Sequence, residues 1–287
     1  MTKIGTVQEL WRYPVKSMVG EQLAQTTIVS NGVPGDRGWA LRDEAAGEIR
    51  GGKKLPGLMR CTARYLLEPG EGDVPPVEIT FPDGSSVTTE DPRAAARLSE
   101  FLGRQVTLWP LQPPENRDHY RRGLPDKPDL MDELRDVFGR LPEEPLPDLS
   151  VFSQELFEFT SPVGTYFDAF PLHLLSTASL AALGADAPAD RFDRRRFRPN
   201  VLIASADGER GLVDVGWTGR SLRVGEAIVQ VQLPTPRCSM TMQPQPGLPK
   251  DPLTLRAIVR DGDQNLGAYA TVTTPGRVAV GDAVELL

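Results

Sequence analysis

The 287-residue chain has only two cysteines, Cys61 and Cys238, and two histidines, His119 and His173. So few thiols exclude a disulfide framework, a tetrathiolate zinc site and a cysteine-held iron–sulfur cluster. A single Cys61–Cys238 bridge is the most the chain could form, and a reducing compartment disfavours it. Two histidines cannot build a multi-histidine metal centre. Positive charge is also scarce, with 32 Lys and Arg against 39 Asp and Glu, a net −7. That balance argues against a nucleic-acid partner but allows a local basic pocket for a small anion. No apolar run approaches the roughly 20 residues that span a bilayer. The opening MTKIGTVQELWRYPVKS has no signal-peptide core. The expectation is a soluble, cytoplasmic protein that makes no membrane contact. Walker, Gly-x-Gly-x-x-Gly and Gly-x-Ser-x-Gly motifs are missing as well.

What the chain does have is glycine and proline, 27 of each, which favours short strands joined by tight turns. Strand patterns run over Gly5–Leu10, Gln22–Ser30, Gly38–Asp43 and Thr62–Glu68. Val77–Phe81 and Ser86–Thr89 flank the turn Pro82-Asp83-Gly84. A helix is predicted from Asp91-Pro92 through Leu102, with Asp91 as its cap and Gly103 as its stop, followed by a strand at Val106–Leu108. Residues 111–165 are Pro-rich and read as a variable connection or lid, with a helix at Asp129–Phe138. Further on, Ser176–Leu183 reads as a capped helix. Val201–Ala204, Ser221–Val224, Ala227–Leu233, Leu255–Asp261, Leu266–Thr273 and Ala283–Leu286 read as strands. The fold class is mainly β with a few helices (α+β). It comprises an N-terminal β-barrel-like domain over 1–110 and a second barrel over 166–287.

Four clusters carry chemistry. Cys238 follows a strand and the stiff Pro234-Thr235-Pro236, beside Arg237, whose guanidinium favours a thiolate. Composition alone favours the plainer reading of Cys238 as a small buried apolar residue, the role of most lone cysteines. Arg194-Arg195-Arg196-Phe197-Arg198-Pro199-Asn200 could fork onto a phosphate or form a solvated basic face. Tyr13-Pro14-Val15-Lys16-Ser17, with Gly35-Asp36-Arg37 twenty residues on, offers two cations and a hydroxyl. Ser176, Thr177 and Ser179 stand at a helix start, which suits an anion or simple capping.

Taken together and in this order, these clusters resemble the MOSC family (molybdenum cofactor sulfurase C-terminal domain) with its N-terminal β-barrel domain. Arg-Phe-Arg-Pro-Asn-Val at 196–201, the Arg237-Cys238 pair, and Leu266-Gly267-Ala268-Tyr269 through Pro275-Gly276 to Val280-Gly281-Asp282 carry the likeness. Within the family the architecture is similar to the amidoxime-reducing branch. The resemblance implies an oxidoreductase that reduces N-hydroxylated or N-oxide compounds with molybdenum held by molybdopterin. Cys238 would be the metal ligand and Arg237 would orient the loop or the substrate. Lys16, Ser17, Arg37, Arg198 and Asn200 would hold the pterin and its phosphate, with Ser176, Thr177, Ser179 and Thr241 as further contacts. It also implies that electrons come from a separate ferredoxin-like, flavin or haem protein, since no iron–sulfur domain is expected in this chain. No pyridoxal phosphate is expected either, because the desulfurase half of the sulfurases is not present. The alternative within the same family is a molybdenum-cofactor carrier or a protein that passes sulfur as a persulfide on Cys238.

Overall fold

The computed structural model describes all residues from Met1 to Leu287. Its first strand, Thr2–Arg12, buries Ile4, Val7 and Leu10 on one side. A regular strand would bury every second residue. The spacing of three arises because the pairing slips between Lys3 and Gly5 and again between Val7 and Glu9, each slip turning the next side chain to the other face. Gly5 sits at one such slip. A Cβ there would lie 2.2 Å from the carbonyl oxygen of Ala204 on the neighbouring strand, so only glycine permits the approach.

Seven strands close into a barrel. Thr2–Arg12 pairs with Val201–Ser205, and the ring continues through Leu172–Ser176, Asn265–Thr274, Ala227–Pro236, Ser221–Val224 and Ala283–Leu286 back to Thr2–Arg12. All neighbours are antiparallel except Leu172–Ser176 and Val201–Ser205. That parallel pair needs a crossover, supplied by the helix Thr177–Gly184. A core of 19 buried side chains fills the barrel, among them Leu10, Leu174, Val201, Val229, Ala268 and Val284.

The residues after Arg12 build a second unit. Trp39–Asp43 pairs with Glu48–Arg50 and Val106–Pro110, and Val77–Thr80 with Thr62–Tyr65 and Ser86–Thr88. With the helix Ala94–Leu102 they enclose their own core of 15 residues, including Val15, Met18, Leu58, Cys61 and Leu98. The two units are not separate along the sequence. Thr2–Arg12 belongs to the barrel, and Gln25–Ile28 pairs with Gly276–Ala279 near the other end of the chain. No helix is long and apolar enough to cross a membrane.

Three local expectations need correction. Leu255–Asp261 is not a strand but part of the helix Pro252–Asp261. The alternation of Leu253, Leu255, Ala257 and Val259 imitates a strand. However, the Asp251 side chain accepts the Leu253 N–H, Pro252 starts the helix, and the buried side chains are Thr254, Leu255 and Ile258, a helical spacing. Gln22–Ser30 breaks at Ala24 into Glu21–Leu23 on the barrel and Gln25–Ile28 elsewhere. Asp91 does not cap the helix directly: its carboxylate takes the Arg93 N–H, and the helix begins at Ala94. Gly103 does end that helix in the left-handed conformation.

Candidate functional site

The strand Ala227–Pro236 runs out of the barrel into Arg237 and Cys238, and a single 3-10 turn, Ser239–Met242, follows. Cys238 is half-buried and its thiol is free. Thr241 Oγ1 donates to the Cys238 carbonyl at 3.1 Å. Arg237 is buried, donating to the Phe197 carbonyl at 2.8 Å and facing His173 Nε2 at 3.4 Å. Burial lowers the Arg237 pKa. Burial, and then the positive charge of Arg237, hold His173 well below the usual imidazole range, so its ring is neutral at physiological pH.

The loop after the first strand supplies the opposite wall. Lys16 is buried. Its ammonium donates to the Tyr166 carbonyl at 2.7 Å and to Asp168 Oδ1 at 3.0 Å. Burial lowers the Lys16 pKa against the pull of Asp168. Desolvation pushes Asp168 up, but Lys16, Lys53 and Arg37 outweigh it and keep the carboxyl ionised. Ser17 Oγ accepts the Gly52 N–H at 2.7 Å, which anchors the turn carrying Lys53. Across the basin, Arg198 lies over the Tyr13 ring at 4.1 Å, and Arg37 also lies over it at 5.1 Å. Asp36 is the hub beneath them. It pairs with Arg37, accepts the Tyr13 N–H at 2.8 Å and accepts Asn200 Nδ2 at 3.0 Å. Asn200 Oδ1 in turn takes the His173 N–H at 3.1 Å.

Two features mark this basin. Five non-glycine residues have a left-handed backbone: Ser17, Arg37, Arg198, Asp263 and Gln264. The first three line the basin. Gln264 accepts the Arg237 N–H through its carbonyl at 2.8 Å. Such conformations cost about 1–3 kcal/mol each and persist where the surroundings enforce them. The second feature is unspent donor capacity. Arg198 Nη2 and Arg237 Nε are buried without a hydrogen-bond partner. Lys16, Lys53, Arg37, Arg198 and Arg237 face two carboxylates, Asp36 and Asp168. Buried guanidinium N–H groups without acceptors are costly, and an anion with several oxygens would satisfy them. No cluster of three or more His, Cys, Asp or Glu could hold a metal by itself. Cys238 is thus a single soft sulfur ligand, and any metal it bound would have to bring its other ligands with it.

The profile of the MOSC domain matches residues 162–285, and that of the MOSC N-terminal beta barrel domain matches residues 4–112. The chain belongs to the MOSC family. It is similar to mitochondrial amidoxime-reducing component 1 of Homo sapiens, 22% identical over 318 residues that cover 100% of this chain and 84% of the relative. It is likewise similar to mitochondrial amidoxime reducing component 2 of Rattus norvegicus, 24% identical over 307 residues, 99% of this chain and 84% of the relative. Among solved structures, the YuaD protein from Bacillus subtilis aligns with 100% of this chain and 97% of its own, at 13% identity and a TM-score of 0.42. YiiM from Escherichia coli aligns with 41% of this chain and 54% of its own, at 21% identity and a TM-score of 0.31.

In this MOSC protein the expected site residues divide. Lys16, Ser17, Arg37, Arg198, Asn200, Arg237 and Cys238 come together around one basin, and Thr241 braces its loop. Ser176, Thr177 and Ser179 make their hydrogen bonds elsewhere. Ser176 Oγ caps its own helix by accepting the Ser179 N–H at 3.1 Å, and the two hydroxyls are 3.0 Å apart. Thr177 Oγ1 takes the Ser205 N–H at 3.0 Å, and Ser205 Oγ takes that of Ala178. The carboxylate of buried Asp214 lies at this helix start, where an external anion would have to sit, and burial pushes it up to about 6. Arg194 and Arg195 are neutralised by Glu9 and Asp193, and Arg196 is spent on backbone carbonyls. Sequence reading assigned no role to Tyr13, Asp36, Lys53, Asp168 or Tyr269. Tyr13, Asp36 and Tyr269 lie inside motifs that were singled out. Lys53 and Asp168 lie in no such motif and reach the basin only through the fold.

Proposed function

We propose that this MOSC protein binds molybdenum with molybdopterin, takes Cys238 as the protein's ligand, and reduces N-hydroxylated or N-oxide compounds. The observation that carries this reading is the pair of orphaned guanidinium donors, Arg198 Nη2 and Arg237 Nε, in a cation-rich basin beside a half-buried thiol. The amidoxime-reducing names of its relatives support the same chemistry. When bound, the cofactor supplies a two-electron centre that removes oxygen from nitrogen. The net change is R–NH–OH plus two electrons and two protons to R–NH2 plus water. Electrons come from a separate ferredoxin-like, flavin or haem protein.

The chain's own residues divide the remaining work. Arg37 and Arg198, held face-on by Tyr13, grip the phosphate, and Lys16 adds charge from beneath. Asp36 fixes Arg37 and Asn200 in place. Arg237 and Thr241 set the direction of the Cys238 side chain. Lys53 has no hydrogen-bonded partner within the protein, and with Tyr269 it lies near Cys238, where an incoming oxygen would need a proton. The test is expression in a host that makes the cofactor, followed by metal analysis and release of the fluorescent pterin. Wild type should carry both in equal amounts and reduce an amidoxime. A Cys238→Ala protein that keeps both and reduces at the normal rate would overturn the reading. A persulfide on Cys238 without pterin would favour the carrier instead.

A further inference from the structure

The segment between the two profile matches is not a free-standing loop. Its helix Leu130–Phe138 is capped by Asp129, stopped by Gly139, and has no fully buried side chain of its own. What it touches is the cysteine loop. Ser239 Oγ donates to the Val137 carbonyl at 2.9 Å. Arg140, just past the helix, is buried. Its Nη2 donates to the Arg237 carbonyl at 3.1 Å and to Gln264 Oε1 at 3.2 Å, which Nε also reaches. Nη1 donates to the Phe138 carbonyl at 2.6 Å. Residues on both sides of Cys238 are therefore bonded to residues 137–140. Gln264 completes the ring: its carbonyl accepts the Arg237 N–H, and its own backbone is left-handed. Arg256, on a barrel-side helix, fastens the same stretch through Gly139 and Glu144.

We propose that Arg140 is a positioning residue for Cys238, a clamp that fixes the peptide joining Arg237 to Cys238 so that the sulfur is presented in one direction. The inference rests on the proposed ligand role of Cys238 for its consequence in turnover. The clamp itself is a property of the empty protein. A guanidinium is suited to the task because its planar fork serves two acceptors at fixed angles. The acceptors are the carbonyl before the cysteine and the amide of a strained residue that itself holds the Arg237 N–H, so losing the fork frees the Arg237 side of the loop and its brace together, while Ser239 keeps its bond to Val137.

The test starts with protein purified without cofactor. Labelling of Cys238 by a disulfide reagent is followed at one fixed pH, with Cys61 as the buried internal control. Arg140→Met keeps the bulk and removes every donor, so labelling should quicken by about tenfold. Arg140→Lys keeps a charged donor and should recover most of the protection. Glu144→Gln loosens the far end of the segment and should label like wild type. Equal labelling of wild type, Met and Lys variants would overturn the clamp. If Arg140→Met does not fold, Ser239→Ala decides, with a rise of about threefold expected and wild-type labelling refuting the idea. In cofactor-loaded protein, Arg140→Met should lower kcat with KM unchanged and alter the thiolate-to-metal absorption, and Arg140→Lys should restore both. Altered labelling in a protein that never takes up molybdenum would keep the clamp and remove the proposed function. Normal turnover with unaltered labelling would do the reverse.

Discussion

Two polar regions of this molecule are built from similar parts and end in opposite states. In the basin around Cys238, donors outnumber acceptors: Arg198 Nη2 and Arg237 Nε remain unpaired, and Ser17, Arg37 and Arg198 hold strained backbones. In the knot of Ser176, Ser179 and Asp214, the helix N–H groups have found acceptors and a carboxylate already fills the anion position. Both looked from the sequence like places for an anion. The difference lies in what is left over: the knot's orphan is an acceptor, Asp214 Oδ1, which repels an anion, whereas the basin's orphans are donors, which call for one.

The sharpest way to break that comparison is Cys238→Ala. It should remove bound molybdenum and cut amidoxime reduction by about a thousandfold or more, whereas Cys61→Ala, in the apolar core, should leave turnover intact and cost about 1–2 kcal/mol in urea melts. Activity lost equally in both would mean that the two thiols are not distinguished by their surroundings. Next comes Arg198→Met, expected to weaken pterin retention by about 10–100-fold with little loss of thermal stability. Unchanged pterin content would show that the orphaned donor is not a binding group.

The knot is probed through pH. Burial raises the Asp214 carboxyl to about 6, above an unfolded value of about 3.9. The folded protein thus holds a proton that the unfolded chain has released. The stability linked to it is complete below about pH 4 and is lost as pH rises through 6, by at most about 3 kcal/mol. Asp214→Asn should therefore gain in Tm relative to wild type at pH 8 and show a smaller gain at pH 4.5. The opposite trend would mean that the carboxylate is stabilised as an anion. The smallest effect is expected from Ser176→Ala: about 1 kcal/mol of lost capping with pterin content unchanged. A folded Ser176→Ala protein that loses its pterin would join the knot to the basin.

Much of this was legible beforehand where the signal is local. Strands such as Ser221–Val224 and Ala283–Leu286, the stop at Gly103 and the helix ending at Phe138 follow from neighbouring residues alone. Lys16, Arg37, Arg198 and Arg237, which the fold brings together, stood out as candidates because they sit in dense motifs. What escaped needed three dimensions. The period-2 run from Leu253 to Val259 could not reveal which face the core would take. Leu172–Ser176, buried on both faces, carries no alternation to read. Arg140 sits in a stretch whose composition reads as a connection and Asp168 just beyond it in no motif, and their partners Arg237 and Lys16 lie more than ninety residues away.

The strand Thr2–Arg12 also sets the order of events during synthesis. It precedes every other strand along the chain, yet one of its neighbours, Ala283–Leu286, follows them all. The barrel therefore stays open until Ala283–Leu286 has been made, while the residues after Arg12 can already gather around Leu58 and Leu98. Pairing segments so far apart in sequence is a slow, high-contact-order step, and until Thr2–Arg12 docks on it Val201–Ser205 presents a bare edge to other molecules. A fragment containing only the C-terminal profile match would remain in that unfinished state, because the strand that seals it was left behind with the other half.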